Sequence, residues 1–289
     1  MEACINCPRG CPVNRRLCGP ENTARVARSQ LHYAEEPCIS GTNGSGAVFF
    51  AGCNLRCVFC QNYKISALPP WKVEVTEYTP ELLSGVFLEL RGRGAHNINL
   101  VTPTPHIGVI RDALLTARNA GLDIPVIWNT SAYETVQALR LIEGLVDVYL
   151  PDLKYLSRES GLRYSGAPDY WQAASSAVLE MARQVGGAVF DERGLIRKGL
   201  IIRHLILPGL RRESIRILDW IRENLPGTVY VSLLAQYFPE HRASEFHEIN
   251  RRITKFEYDS VLDHFREIGL RNGYQQERVS AVKDYVPEF

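Results

Sequence analysis

The sequence predicts an α/β protein: a partial (β/α)6 barrel, preceded by a four-cysteine segment and followed by a helical extension. Three observations carry that expectation. Short apolar runs alternate with amphipathic stretches from residue 47 to residue 234. The connections carry Gly or Pro breaks, as at Gly92-Arg93-Gly94, Gly121 and Leu225-Pro226-Gly227. Polar residues recur just beyond the apolar runs, where barrel strands end and active sites gather. Repeated β-α order implies a parallel sheet with helices packed outside. Six such units fall short of a closed eightfold barrel.

Taken in order, strands are expected at 47–51, 98–101, 126–129, 146–150, 200–207 and 229–234. Helices are expected at 80–91, 108–120, 133–142, 170–184 and 213–224. Residues 244–284 keep a helical pattern through Phe246, Ile249, Ile253, Phe256, Val261, Leu262 and Phe265. That stretch is expected to close one side of the barrel or cover a substrate. The division is therefore a cysteine-rich metal-binding segment at 1–44, a barrel at 45–240 and a helical extension at 241–289. Neither an internal repeat nor a low-complexity linker interrupts it.

The 289 residues carry 33 Lys plus Arg against 32 Asp plus Glu, a formal charge of +1. That balance gives no electrostatic mandate for nucleic acid or a membrane surface, and neither is an expected partner. A hydrophobic fraction of 45% suits a globular chain, and no apolar run approaches the roughly 18–20 residues of a spanning helix. Met1-Glu2-Ala3-Cys4 lacks the basic-then-apolar pattern of an export signal, so the expected compartment is the cytoplasm.

Eight cysteines, at 4, 7, 11, 18, 38, 53, 57 and 60, all fall in the first 60 residues. Closely spaced thiols without an export signal point to metal or iron–sulfur binding rather than to crosslinks. Cys53-x3-Cys57-x2-Cys60 follows the apolar run Ala47-Val48-Phe49-Phe50-Ala51, with Gly52 suited to the turn between them. Three thiolates on one short loop hold three irons of a cubane and leave the fourth open to a ligand.

Gly52-Cys53-Asn54-Leu55-Arg56-Cys57-Val58-Phe59-Cys60, with its aromatic residue before the third cysteine, resembles the signature of the radical S-adenosylmethionine (SAM) superfamily. More narrowly, four segments are similar to an iron–sulfur branch related to pyruvate formate-lyase activating enzyme. They are Glu35-Glu36-Pro37-Cys38-Ile39-Ser40-Gly41, Cys60-Gln61-Asn62-Tyr63, Asn97-Ile98-Asn99-Leu100-Val101-Thr102-Pro103-Thr104 and Ala235-Gln236-Tyr237-Phe238-Pro239. The resemblance covers nearly the whole chain and implies an incomplete barrel. It also implies a [4Fe-4S] cluster on Cys53, Cys57 and Cys60 that chelates SAM through its open iron. Reductive cleavage of SAM would then give a 5′-deoxyadenosyl radical that abstracts hydrogen from a protein, peptide or small molecule. Activation of a glycyl-radical enzyme, and a reductant such as flavodoxin or ferredoxin, follow from the same resemblance.

The resemblance assigns SAM contacts at the expected strand ends. Asp152 and Lys154 match the family's Asp-x-Lys pattern, and Arg203 matches an arginine that meets the SAM carboxylate. Alternation within the apolar strand sends one of Arg203 and His204 inward and the other outward. Asn129 and Thr130 stand where the activating enzyme has Asp-Thr at a monovalent-cation site, and Asn removes a charge there. Thr102-Pro103-Thr104-Pro105 replaces the family's Gly-Gly-Glu, so the acid meeting the SAM amino group is missing; Thr102 and Thr104 offer hydroxyls instead. Phe59 and Tyr63 are candidates for the adenine, although aromatics beside such a loop equally serve as core. Gln236 ends the last barrel strand. His106, His204 and His241 read as structural.

Cys4-x2-Cys7-x3-Cys11-x6-Cys18 forms a second thiol group whose spacing fits a second iron–sulfur cluster or a zinc site. Cys38 reads as a buried thiol. A non-catalytic reading, an iron–sulfur or zinc protein in electron transfer or partner binding, stays open beside the enzyme reading.

Overall fold

The computed structural model describes residues 3–12, 22–66, 69, 71 and 73–276. In chain order the strands are β1 (Ala24–His32), β2 (Ser45–Phe50), β3 (Thr76–Tyr78), β4 (Ile98–Val101), β5 (Val126–Thr130), β6 (Val148–Pro151), β7 (Val189–Phe190), β8 (Ile196–Leu205), β9 (Tyr230–Leu234) and β10 (Gly273–Gln275). The helices are α1 (Pro37–Ser40), α2 (Tyr63–Ser66), α3 (Pro80–Gly92), α4 (Ile107–Asn119), α5 (Val136–Arg140), α6 (Arg158–Ser165), α7 (Tyr170–Val185), α8 (Arg211–Asn224) and α9 (Lys255–Glu267).

The sheet runs β10-β9-β8-β6-β5-β4-β2-β1-β3, with β7 paired to β8 beside that path. The six parallel strands expected from the sequence are β2, β4, β5, β6, β8 and β9. The end strands do not meet, so the barrel is open. Strand β1 lies within residues 1–44 and pairs antiparallel with β2 and β3. Its alternation of small apolar residues with Arg and Gln is too weak to read as a core strand. At the other edge β10 pairs in parallel with β9, so the C-terminal stretch contributes a strand as well as helix α9. Gly273 permits that pairing: its φ is +143°, and a Cβ there would lie 1.9 Å from the Val231 carbonyl oxygen.

The helix expected at 133–142 is a correction. Only Val136–Arg140 is helical, capped by the Thr135 hydroxyl accepting from the Ala138 amide. Ala132 takes a left-handed φ of 60°, and Glu134 turns inward to Trp128 instead of joining a helix.

Alternation along the strands separates two faces. One face, including Val48, Leu100, Trp128, Tyr149, Leu200, Ile202 and Val231, packs under the helices in the main core. On the interior face, Ile127, Val148, Leu150 and Ile201 pack around Cys38 and Ile39 of α1. Ala47, Phe49 and Val101 pack with Ile65 of α2. Helix α1 thus fills the barrel floor. Above it lies a band of polar side chains.

Candidate active site

Strand β2 ends at Phe50, and Gly52 turns the chain with φ +88°. The cysteine loop that follows is held by backbone bonds to the end of α6: Arg56 N donates to Ser165 O (3.0 Å) and Val58 N to Tyr164 O (2.9 Å). The Arg56 side chain folds back, Nη1 donating to Cys53 O at 2.6 Å. Each thiol has a polar neighbour. Leu55 N donates to Cys53 Sγ (3.4 Å), Ser165 Oγ is 3.0 Å from Cys57 Sγ, and Ser66 Oγ is 3.3 Å from Cys60 Sγ. Burial, with the Cys57 charge adding to it, pushes Cys53 up to about 11 and Cys60 up to about 12.

These thiols open on a cavity of about 240 Å3 at the C-terminal ends of the strands. Around it the structure brings together Cys53, Cys57, Cys60, Phe59, Thr102, Asn129, Asp152, Lys154, Arg203 and Gln236. Thr104 is not among them. Its hydroxyl donates to Glu134 Oε1 (2.8 Å), and that carboxylate also accepts from Trp128 Nε1 (2.8 Å), so Thr104 belongs to a buried knot behind the strand. Thr102 holds φ +61°, an uncommon backbone state for a β-branched residue, at the cavity wall.

Arg203 points inward and His204 outward, as alternation requires. Arg203 Nε donates to Asp152 Oδ1 (2.9 Å), Nη1 to Glu35 Oε2 (3.2 Å) and Nη2 to Asn129 Oδ1 (2.5 Å). Lys154 Nζ donates to the other Asp152 oxygen at 2.7 Å. Burial pushes the Asp152 carboxyl up, but the Lys154 and Arg203 charges outweigh it and hold it below the usual carboxylate range. Lys154 is likewise held above its ordinary value, burial opposing and the Asp152 charge prevailing. The Asn129 oxygen, accepting from a guanidinium, is committed to Arg203 rather than free for a metal cation. Phe59 is buried and meets Tyr237 edge-on, ring centres 5.7 Å apart. Gln236 accepts from Gln276 Nε2 at 3.0 Å, and Tyr63 stacks on His241 with centres 4.9 Å apart.

Glu35 escaped sequence reasoning as a site residue. It stands between β1 and α1, and its Oε1 accepts from Asn99 Nδ2 (2.9 Å) and Asn129 Nδ2 (3.3 Å). It places a carboxylate on the wall of the cavity that Thr102 also lines. The one available signal was the Glu35-Glu36 pair in an otherwise apolar stretch. Its partner Glu36 is buried and pushed upward, burial outweighing the Arg203 charge. His106 and His204 are core groups: Nε2 of the first is 3.1 Å from Ala51 O, and Nδ1 of the second 2.6 Å from Leu153 O.

The N-terminal thiols Cys4, Cys7 and Cys11 line a separate cleft together with Cys53, Asn54 and Arg56. Cys18 lies outside the described residues. Among the described residues no three His, Cys, Asp or Glu side chains converge as a single metal ion requires, and no disulfide joins the seven described cysteines. No helix there is long and apolar enough to cross a membrane.

An open parallel α/β barrel with a three-cysteine loop at the end of its first parallel strand defines the class. The sequence pattern of the radical SAM superfamily matches residues 47–221, and this chain belongs to that superfamily of enzymes. An uncharacterized protein of Methanocaldococcus jannaschii is 34% identical over 274 residues, covering 91% of this chain and 74% of the relative. A second uncharacterized protein of that organism is 29% identical over 129 residues, covering 45% of this chain and 34% of the relative. Among solved structures, Streptococcus suis SuiB bound to its precursor peptide SuiA matches with a TM-score of 0.52 at 14% identity, over 78% of this chain and 47% of SuiB. The protein anSMEcpe with bound AdoMet and a peptide matches with a TM-score of 0.51 at 11% identity, over 78% of this chain and 60% of its own. The chain thus spans about half to three-fifths of these two solved proteins, and the likeness is one of fold.

Proposed function

We propose that this protein reductively cleaves SAM and uses the resulting radical to abstract hydrogen from a protein, peptide or small molecule. Cys53, Cys57 and Cys60 would hold a [4Fe-4S] cluster, and the adjoining cavity would hold SAM. The donor set fits both groups. Three sulfurs suit irons of a cluster, and the zwitterionic head of SAM needs a cation and an acceptor, which Arg203, Lys154, Asp152 and Glu35 supply together. When bound, cluster and SAM supply an electron and a carbon-centred radical; the protein supplies position and exclusion of water.

Each residue's part follows from its place. Arg203 is pre-oriented by three acceptors, so a carboxylate meets a guanidinium that needs no reordering. The Asp152–Lys154 pair presents charges of both signs at one strand end. Phe59 and Tyr237 make the wall beside the cysteine loop apolar, which keeps water from a reactive intermediate. The observation that carries this reading is that the three thiols and the Arg203 network face one cavity. SuiB and anSMEcpe bind peptides, which makes peptides the first substrates to try. Flavodoxin or ferredoxin is the expected class of electron donor.

Anaerobic reconstitution, reduction and addition of SAM test the proposal, with 5′-deoxyadenosine as the readout. The wild-type protein should form it, and Cys57→Ala should fall to the no-protein background. Equal yields from the two would sink the reading.

A further inference from the structure

We propose that Cys4, Cys7 and Cys11 hold a second iron–sulfur cluster, seated against the Cys53 side of the cysteine loop. The claim rests on the N-terminal thiols themselves and stands apart from the SAM reading. Residues 3–12 form a closed loop, with Cys4 N donating to Cys11 O at 2.7 Å and an antiparallel bridge between Ala3 and Pro12. The turn within it is tightened by Gly10 N donating to Cys7 O at 3.3 Å. All three thiols line the cleft that Cys53 and Arg56 close from the other side.

The loop is docked by directional bonds, with Cys7 packed into the main core. Asn6 Nδ2 donates to Thr104 O (3.2 Å) and Pro105 O (3.3 Å), and Thr135 Oγ1 donates to Ile5 O (2.5 Å). Arg9 donates through Nε to Asn54 O and through Nη2 to Gly166 O (3.1 Å). Its guanidinium also lies 5.7 Å from the centre of the Tyr133 ring. So many bonds on so short a segment give three thiols fixed positions beside the loop that carries Cys53, Cys57 and Cys60.

The chemistry of the ligand follows from the donors. An all-sulfur set selects soft metals, above all zinc and iron–sulfur clusters. A zinc site gathers its thiolates at about 2.3 Å from one ion. The described cysteines form no such convergence. A cluster instead spreads its thiolates over separate irons, and that arrangement suits thiols that share a cleft without converging.

Metal counting on the full-length chain tests this. After anaerobic reconstitution the wild type should carry about eight irons, and both C53A/C57A/C60A and C4A/C7A/C11A about four each. The first of these variants leaves residues 3–12 unaltered and changes only Cys53 of the cleft's lining, so it reads the N-terminal irons even if the second misfolds. Absence of iron from C53A/C57A/C60A, or zinc in place of iron there, would overturn the proposal. A wild-type iron count in C4A/C7A/C11A would do the same. Failure of SAM cleavage with all eight irons present would count against the proposed activity alone.

Discussion

Arg203 joins residues far apart in sequence: Glu35, Asn129 and Asp152 all accept from its guanidinium. Asp152 is the hinge of that arrangement because it also answers Lys154. Replacing it by Asn would leave two cations in the interior with one hydrogen-bonded carboxylate, Glu35. Breaking a buried ion pair costs roughly 3–5 kcal/mol, and the Asp152 side chain keeps 24% exposure. Asp152→Asn is therefore expected to lower unfolding stability by about 3 kcal/mol, at the low end of that range, in urea titration. SAM affinity, read by equilibrium dialysis of the reconstituted protein, should fall with it. Much of this residue-level picture was legible in the sequence. The Asp152-x-Lys154 spacing and the Arg203-His204 alternation needed only a strand to become geometry. Glu35 was not legible, because it meets Arg203 across 168 positions and no periodicity links a loop residue to a strand so distant.

Among the elements, α1 shows why local pattern and tertiary role diverge. Four residues are too few for helical periodicity to show, so nothing marked Pro37–Ser40 as the floor of the barrel. Its identity comes from packing: Ile39 is fully buried among Ile127, Val148, Leu150 and Ile201, and its carbonyl accepts from Asn97 Nδ2 at 2.7 Å. Ile39→Ala would open a void between strands that cannot collapse inward. The expected loss is about 2–5 kcal/mol by urea denaturation; a loss within experimental error would show that the floor is packed by other residues. The central strands, by contrast, were readable because they are short, apolar and regularly spaced. The flanking strands β1, β3 and β10 were not, since strands outside the parallel core need no continuous apolar run.

For the whole molecule, His106 and His204 make stability sensitive to mild acid. Burial lowers both to about 4, with Lys154 adding to the effect at His204. A base whose folded pKa is depressed stays neutral in the fold while the unfolded chain takes up a proton. Stability is therefore full above the unfolded value of about 6.5 and declines as pH falls from there toward about 4. The decline should reach on the order of 2–3 kcal/mol per histidine. Urea unfolding of the metal-free protein between pH 7 and pH 5 measures the slope, and His204→Asn should flatten it. An unchanged slope in that variant would assign the acid sensitivity elsewhere.

The packed floor beneath the strands also governs traffic. With Cys38 and Ile39 wedged between the lower strand halves, the described residues close the barrel floor. The cavity that the proposed ligands would share then opens on the side where the strands finish. Two ligands sharing one doorway cannot exchange independently: the deeper one is first in and last out. Turnover would then be paced by the order in which the shallower occupant clears the way.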